Sequence, residues 1–475
     1  MKRFALFLTC AICFCACAAA NDFPSLEPTF VFESEEEDFS SREIFRAALL
    51  FSESPAVDVT PWLSKYDELE AHVTSDDFLS LPELERAESV LDFLYERVLK
   101  NYQLKQTKLT VALDRGTYNC VSSSVLYLCL AKACGLEVVG NRAPDHSFIS
   151  VNIDGRWIDV ETTNPMGFNP GMRRQISSGA AGTKYAVVPK RQYSGRHRIS
   201  DRMLVSLVAN NLVSVLMDAG RFDDAVPLAV SRMMFLSGEE EGGVDDGRLN
   251  FDIVCSNYAA ALQRKKLYVD SMDWMDLVVA RWGLSPGLHG NYEDASFNGI
   301  LSLCNSGKSS EALKSYEERK SSLSAENRLE IENMIFLAET KESVESLDEE
   351  SGLAYLLERL TMPEASNPQI KKQLEGLVEN YWIRKCAAMN NEEKFLEAAS
   401  LAQEGLNQLP SSRKLIRIKQ QSLSNYAAWV HNRFADAANK GRYEEAREIL
   451  KEGLGNVPEN AALKNDLVRL NRLSR

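Results

Sequence analysis

Long apolar runs are missing after the first twenty residues, so nothing beyond them has the length needed to span a membrane. Positive charge is also short. Fifty-four Lys and Arg stand against 68 Asp and Glu, a formal net charge of −14. That balance argues against a general nucleic-acid binder, which shows a basic patch or stripe. Histidine is scarce, and His72, His197, His289 and His431 are scattered without ligand-like spacing. Six of the ten cysteines remain once the apolar leader is set aside: Cys120, Cys129, Cys134, Cys255, Cys304 and Cys386. They contain no Cys-x-x-Cys pair, which argues against a zinc or thioredoxin-type site. No metal and no cofactor is expected. Most of the six lie in apolar helical patterns, where a buried free thiol is the rule, so few disulfides are expected.

What is present starts with the leader. Lys2 and Arg3 precede an apolar run from Phe4 to Ala20, and polar residues follow at Asn21 and Asp22. Residues 1–20 therefore read as a secretory signal peptide. Ala18-Ala19-Ala20 suits ordinary cleavage, while Phe14-Cys15-Ala16-Cys17 loosely matches a bacterial lipobox that would make Cys17 a lipidation site. Both exits stay open. The expected location is the periplasm or cell envelope of a bacterium, free or held by a lipid anchor.

Four segments follow from patterning. Residues 1–20 are the signal, and 21–105 carry an acidic linker and helices, with Leu84, Ala87, Leu91, Leu94 and Val98 at helical spacing. Residues 106–198 mix helix and strand. Residues 199–475 are all helix. In the third segment, Asn119 to Lys132 is apolar on most sides, which predicts a central buried helix capped by Gly135. Ser147 to Ile153 and Arg156 to Thr162 are joined by Asp154-Gly155, a strong hairpin signal.

Cys120 opens the predicted helix, where unpaired N–H groups and the positive end of the macrodipole favour thiolate, the nucleophilic form. The hairpin supplies partners. With a two-residue turn, Ile153 faces Arg156, Val151 faces Ile158 and Ile149 faces Val160, which gathers the apolar residues on one face. The other face carries His146, Phe148, Trp157, Asp159 and Glu161. Glu161 stands one diagonal step from His146, roughly 7–8 Å between backbones. Asp159 lies about 7 Å further along. Glu161 is thus the expected orienter of His146, and Asp159 the fallback.

Asn119-Cys120-Val121-Ser122, Gly135-Leu136-Glu137-Val138, Asp145-His146-Ser147-Phe148 and Gly155-Arg156-Trp157-Ile158-Asp159-Val160-Glu161 together resemble the transglutaminase-like superfamily. The resemblance covers roughly residues 109–169 and implies a papain-like α+β core with Cys120, His146 and Glu161 as catalytic triad. One position departs, because the family's acid is usually Asp. The implied chemistry is acyl transfer on a peptide or protein amide, as cysteine protease, amidase or transglutaminase. The Cys120 N–H and the Asn119 side chain are the oxyanion candidates. Gly167-Phe168-Asn169-Pro170-Gly171 reads as a connecting loop, and Arg173, Arg174, Lys190, Arg191, Arg196 and Arg198 as a solvated basic linker.

The last segment repeats. Gly220-Arg221-Phe222-Asp223-Asp224-Ala225 recurs as Gly441-Arg442-Tyr443-Glu444-Glu445-Ala446, with weaker copies at Gly307–Ala312 and Lys394–Ala398. A Gly closing one helix, an aromatic in the turn and a small residue opening the next resemble tetratricopeptide repeats, which implies a solenoid that binds a protein partner. The expected fold class is an α+β papain-like, transglutaminase-like core followed by an all-α tetratricopeptide-like solenoid. The expected function is an exported thiol-dependent acyl-transfer enzyme. The alternative is a non-catalytic binding or scaffold protein of the cell envelope that keeps the fold.

Overall fold

A computed structural model describes residues 22–32, 39–170, 184–189, 193, 195–237 and 243–473. The expected signal, Cys17, the acidic run at 33–38 and the basic residues Arg173, Arg174, Lys190 and Arg191 lie outside them. Among the described residues no helix is long and apolar enough to cross a membrane. The chain divides into two units, the first ending at Ser296 and the second beginning at Phe297.

The first unit opens with helices α1 (Ser41–Ser52), α2 (Thr60–Val73), α3 (Asp76–Leu79) and α4 (Glu83–Arg97). Ser40 starts α1 with a complete capping box, its hydroxyl accepting from Glu43 N while the Glu43 carboxylate accepts from Ser40 N. A short parallel pair, β1 (Asn101–Tyr102) and β2 (Thr117–Tyr118), brackets α5 (Leu109–Arg115). It delivers the chain to α6 (Cys120–Ala133), which is buried on all sides from Cys120 to Ala131. Helices α1, α2 and α4 pack around α6. Gly135, at φ +78°, closes α6 as expected, and Leu136 N donates back to Ala131 O.

Strands β3 (Val138–Ala143), β4 (His146–Ile153), β5 (Arg156–Val160) and β6 (His197–Ile199) form one antiparallel sheet in the order β5-β4-β3-β6. The hairpin has the register read from the sequence: Ile149 faces Val160, Val151 faces Ile158, and Ile153 faces Arg156. Asp154 and Gly155 both take positive φ, as a twist-matched two-residue turn requires. Ile149, Val151 and Val160 are fully buried in the core shared with α6. The reading of Arg196 and Arg198 as solvated linker is corrected. They flank and enter β6, where Arg196 pairs with Asp159 and Arg198 lies 4.1 Å over the Trp157 ring. A three-residue strand gives too little alternation to be read from sequence.

Helices α7 (Asp201–Asp218), α8 (Phe222–Phe235), α9 (Gly243–Arg264) and α10 (Tyr268–Trp282) complete the first unit, with α11 (Pro286–Asn305) crossing the unit boundary. One continuous core runs from Ile44 through α6 and the sheet to Ala295.

The second unit continues with α12 (Ser309–Arg319), α13 (Ala325–Ser346), α14 (Glu349–Arg359), α15 (Pro368–Asn391), α16 (Phe395–Gln408), α17 (Arg413–Asn439), α18 (Tyr443–Asn456) and α19 (Ala461–Leu473). Each of these helices packs on the next, and α15, α17 and α19 also meet in sequence. The repeated motif has one physical form. Gly220, Lys266, Gly307, Glu393 and Gly441 all take φ between 60° and 72°. The residue after each donates its N–H five residues back, to Leu216, Leu262, Leu303, Met389 and Ala437 respectively. This is the hydrogen bond of a Schellman cap. The next helix starts one residue later, and its fourth residue (Ala225, Ser271, Ala312, Ala398 or Ala446) is fully buried. The aromatic of the motif is the first helical residue rather than part of the turn.

Candidate active site

Asn119 caps α6. Its Oδ1 accepts from Val121 N and Ser122 N at 3.0 Å, and Ser122 Oγ accepts from Asn119 N at 2.9 Å. Cys120 is therefore the first helical residue, where its own N–H has no intrahelical acceptor. Cys120 is 7% exposed. Asn119 Nδ2 donates to Leu104 O at 3.2 Å. Its oxygen caps the helix and one of its two amide N–H groups holds Leu104, while Asn119 also lines the cleft beside Cys120.

His146 begins β4, and Glu161 lies one residue past the end of β5. The diagonal step closes to a hydrogen bond of 2.7 Å between His146 Nε2 and Glu161 Oε2. Glu161 stands just past the strand and is held by its own turn. Its N–H donates to Gly167 O at 2.8 Å, and its own carbonyl accepts from Asn164 N. Gly167 is required there, since a Cβ at that position would stand 1.9 Å from Glu161 O. The loop read as connecting thus fixes the acid's backbone.

The carboxylate is fully buried and fully used. Oε1 accepts from Thr163 N at 3.1 Å and Thr163 Oγ1 at 2.6 Å, and Oε2 also accepts from Tyr193 OH at 2.8 Å. The same turn is tied to α6, because Thr162 Oγ1 bonds Ser123 Oγ at 2.9 Å and Ser124 Oγ at 3.0 Å. Tyr95 OH donates to Thr162 O at 2.8 Å, which anchors the turn to α4. Asp159, the fallback acid, is committed elsewhere. Ser150 Oγ donates to it at 2.8 Å, Arg196 pairs with it, and it does not meet His146.

The three groups set one another's charge. Burial opposes ionisation of the Cys120 thiol, but hydrogen bonding and charge from His146, with the Ser147 N–H and hydroxyl, outweigh it and lower its pKa. Burial likewise opposes the imidazolium, yet Cys120 and Glu161 raise the His146 pKa to about 10. Glu161 is held below the usual carboxylate range, because His146 and Thr163 outweigh its desolvation. Each of these shifts favours a thiolate–imidazolium pair with a carboxylate behind it. Among the described residues the other five cysteines, Cys129, Cys134, Cys255, Cys304 and Cys386, are free and buried, and burial raises the pKa of each.

Cys120 and His146 line a cleft of about 430 Å³ whose far wall is α7. Leu207, Asn210, Asn211, Ser214, Val215 and Asp218 face it at spacings of three and four, which is one stripe of a helix. At the mouth Lys105 and Asp218 form an exposed ion pair of 3.0 Å. The sequence reading grouped α7 with the repeats and did not anticipate this wall, Thr163, Tyr193 or Ser147. The polar stripe on α7 was the available signal. Compared with known proteins, the chain matches no family model, no curated protein and no solved structure.

Proposed function

We propose that the first unit is a papain-like, transglutaminase-like thiol enzyme of the cell envelope that transfers an acyl group from a peptide or protein amide. The reading is carried by the buried 2.7 Å bond between His146 and Glu161 behind a helix-opening cysteine whose thiolate is favoured. In the reaction, the Cys120 thiolate attacks the amide carbonyl and a C–S bond forms. The His146 proton passes to the amine as the C–N bond breaks. Water or an amine then loses a proton to His146, attacks the thioester and releases the thiolate. The Cys120 N–H faces the developing oxyanion. Asn210, Asn211 and Ser214 offer a neutral, hydrogen-bonding wall suited to peptide amides. The repeated helix pairs resemble tetratricopeptide repeats, and we propose that they engage a protein partner.

The direct test is acylation by p-nitrophenyl acetate. One equivalent of p-nitrophenolate should be released in a burst, with the acetyl group found on Cys120 by mass spectrometry. The burst should vanish in Cys120→Ala and slow by about 10²-fold or more in His146→Ala. Casein with hydroxylamine then separates outcomes: hydroxamate formation marks transamidation, and its absence with new carboxylates marks hydrolysis. The scaffold reading has the 7% exposure of Cys120 in its favour. A folded wild-type protein that is never acetylated at Cys120 would establish that reading instead.

A further inference from the structure

Ser147 is 1% exposed, and its Oγ makes no aligned hydrogen bond to any partner among the described residues. Leaving a buried hydroxyl unpaired costs about 1–3 kcal/mol, so its presence needs a reason. Its place in the fold supplies one. Ser147 follows His146 on β4, and strand alternation turns it to the opposite side of the sheet. Ile149 and Val151 share that side and are buried in the core with α6. The Ser147 carbonyl also accepts from Ser124 Oγ at 3.4 Å, and Ser124 stands one helical turn beyond Cys120 on the same side of α6. Ser147 and Cys120 line the same cleft, but the Ser147 oxygen is covered, so a substrate oxygen cannot reach it.

We propose that Ser147 is a positioning residue for the Cys120 thiolate, its buried hydroxyl donating to the sulfur once the thiol proton has passed to His146. The inference rests on the acyl-transfer reading of Cys120 and adds a member to that site. A neutral thiol is a weak acceptor, whereas a thiolate is a charged one, and hydrogen bonds to charged groups are the stronger class. The hydroxyl keeps its own proton throughout and only rotates toward the sulfur. Its partner is therefore the charge, and it stands idle when the charge is absent. The lowering of the Cys120 pKa by both the hydroxyl and the N–H of Ser147 agrees with this role.

The test is the pH dependence of iodoacetamide alkylation at Cys120 in the full chain, followed by peptide mass spectrometry. Wild type, Ser147→Ala and Ser147→Thr are compared, with thermal unfolding measured on each. Ser147→Ala should move the alkylation midpoint upward by about one pH unit, the size of one charge-assisted hydrogen bond. Its melting temperature, measured below the alkylation midpoint where the sulfur is neutral and the hydroxyl idle, should not fall. Ser147→Thr, which restores a hydroxyl, should keep the wild-type midpoint. A low wild-type midpoint left unchanged by Ser147→Ala overturns the role of Ser147 while the acyl-transfer reading stands. A lowered melting temperature with an unmoved midpoint makes Ser147 merely structural and also overturns it. A wild-type midpoint at the ordinary thiol value of about 8.5 overturns the acyl-transfer reading and this inference with it.

Discussion

Between Asn119 and Asn164 the first unit buries Ser122, Ser123, Ser124, Ser147, Glu161, Thr162 and Thr163 at 1% exposure or less. In the second unit the residues buried as deeply include Leu374, Val378, Ala398, Leu415, Ala446 and Leu450. The two regions also divide their cores differently. The first has one continuous apolar core, whereas the second has separate small clusters, around Phe336 and Leu337, around Trp382 and Leu415, and around Tyr426 and Leu450. Burying a polar group is costly unless it is paired, and every side chain of this set except Ser147 has a hydrogen-bond partner. Here that set joins α6 to the Glu161 turn through Thr162, and it holds three titratable groups in register. The lesson is that the stability spent on this stretch fixes geometry, whereas the helix pairs spend theirs on ordinary apolar packing.

The largest expected difference is in thiol chemistry. Cys120 should alkylate rapidly at pH 7, whereas Cys304 and Cys386, with pKa values raised by burial to about 11, should not. A thiol with that pKa carries on the order of 10⁴-fold less thiolate at pH 7 than an ionised one, before any loss of access. Because the Cys120 pKa is lowered, its labelling should hold as pH falls below the usual thiol range. Because the His146 pKa is raised, the imidazolium should be lost only as pH climbs through about 10. Site-resolved mass spectrometry across pH reads both edges. Equal labelling of Cys120 and Cys304 would erase the contrast.

A smaller effect sharpens the link between the Glu161 turn and the thiol. Gly167→Ala touches neither Cys120 nor His146, yet its Cβ would collide with Glu161 O. It should displace the acid, weaken its hold on His146 and slow Cys120 alkylation at pH 6 by about tenfold, the equivalent of one unit of pKa. An unchanged rate in the folded variant would mean that Glu161 does not act through His146.

The smallest effect belongs to the repeated turns. Glu393 holds φ +60° where Gly220, Gly307 and Gly441 stand in the equivalent turns. Glu393→Gly should stabilise the second unit by about 1 kcal/mol, the cost of a left-handed non-glycine residue, and leave Cys120 alkylation unmoved. Urea unfolding with parallel labelling tests both halves of that statement.

Much of this was legible in the sequence because it depends on local periodicity. Gly135 ended α6 as expected, the Asp154-Gly155 hairpin gave its own register, and the spacing around Gly220 and Gly441 marked the recurring cap. The copies at Lys266 and Glu393 were harder to see, because a non-glycine residue occupies the left-handed position and removes the signal. Strand β6 was missed for its brevity, and α7 was taken for a repeat helix because one helical face looks the same whether it meets a partner helix or a cleft.

By itself the sequence determined that Cys120 opens a buried helix and that His146 and Glu161 share one hairpin face. Those are consequences of backbone periods, 3.6 and 2, acting over a few residues. Only the tertiary structure decided that Glu161 reaches His146 while Asp159 is held by Ser150 and Arg196, and that the Asn119 amide is turned to Leu104. The contacts of Tyr193 and Thr163 with the acid and the α7 wall opposite the thiol were decided there too. Side-chain hydrogen bonds depend on distances of a few tenths of an ångström between segments far apart in the chain. Those distances are set by how the whole core packs, and no local pattern records them.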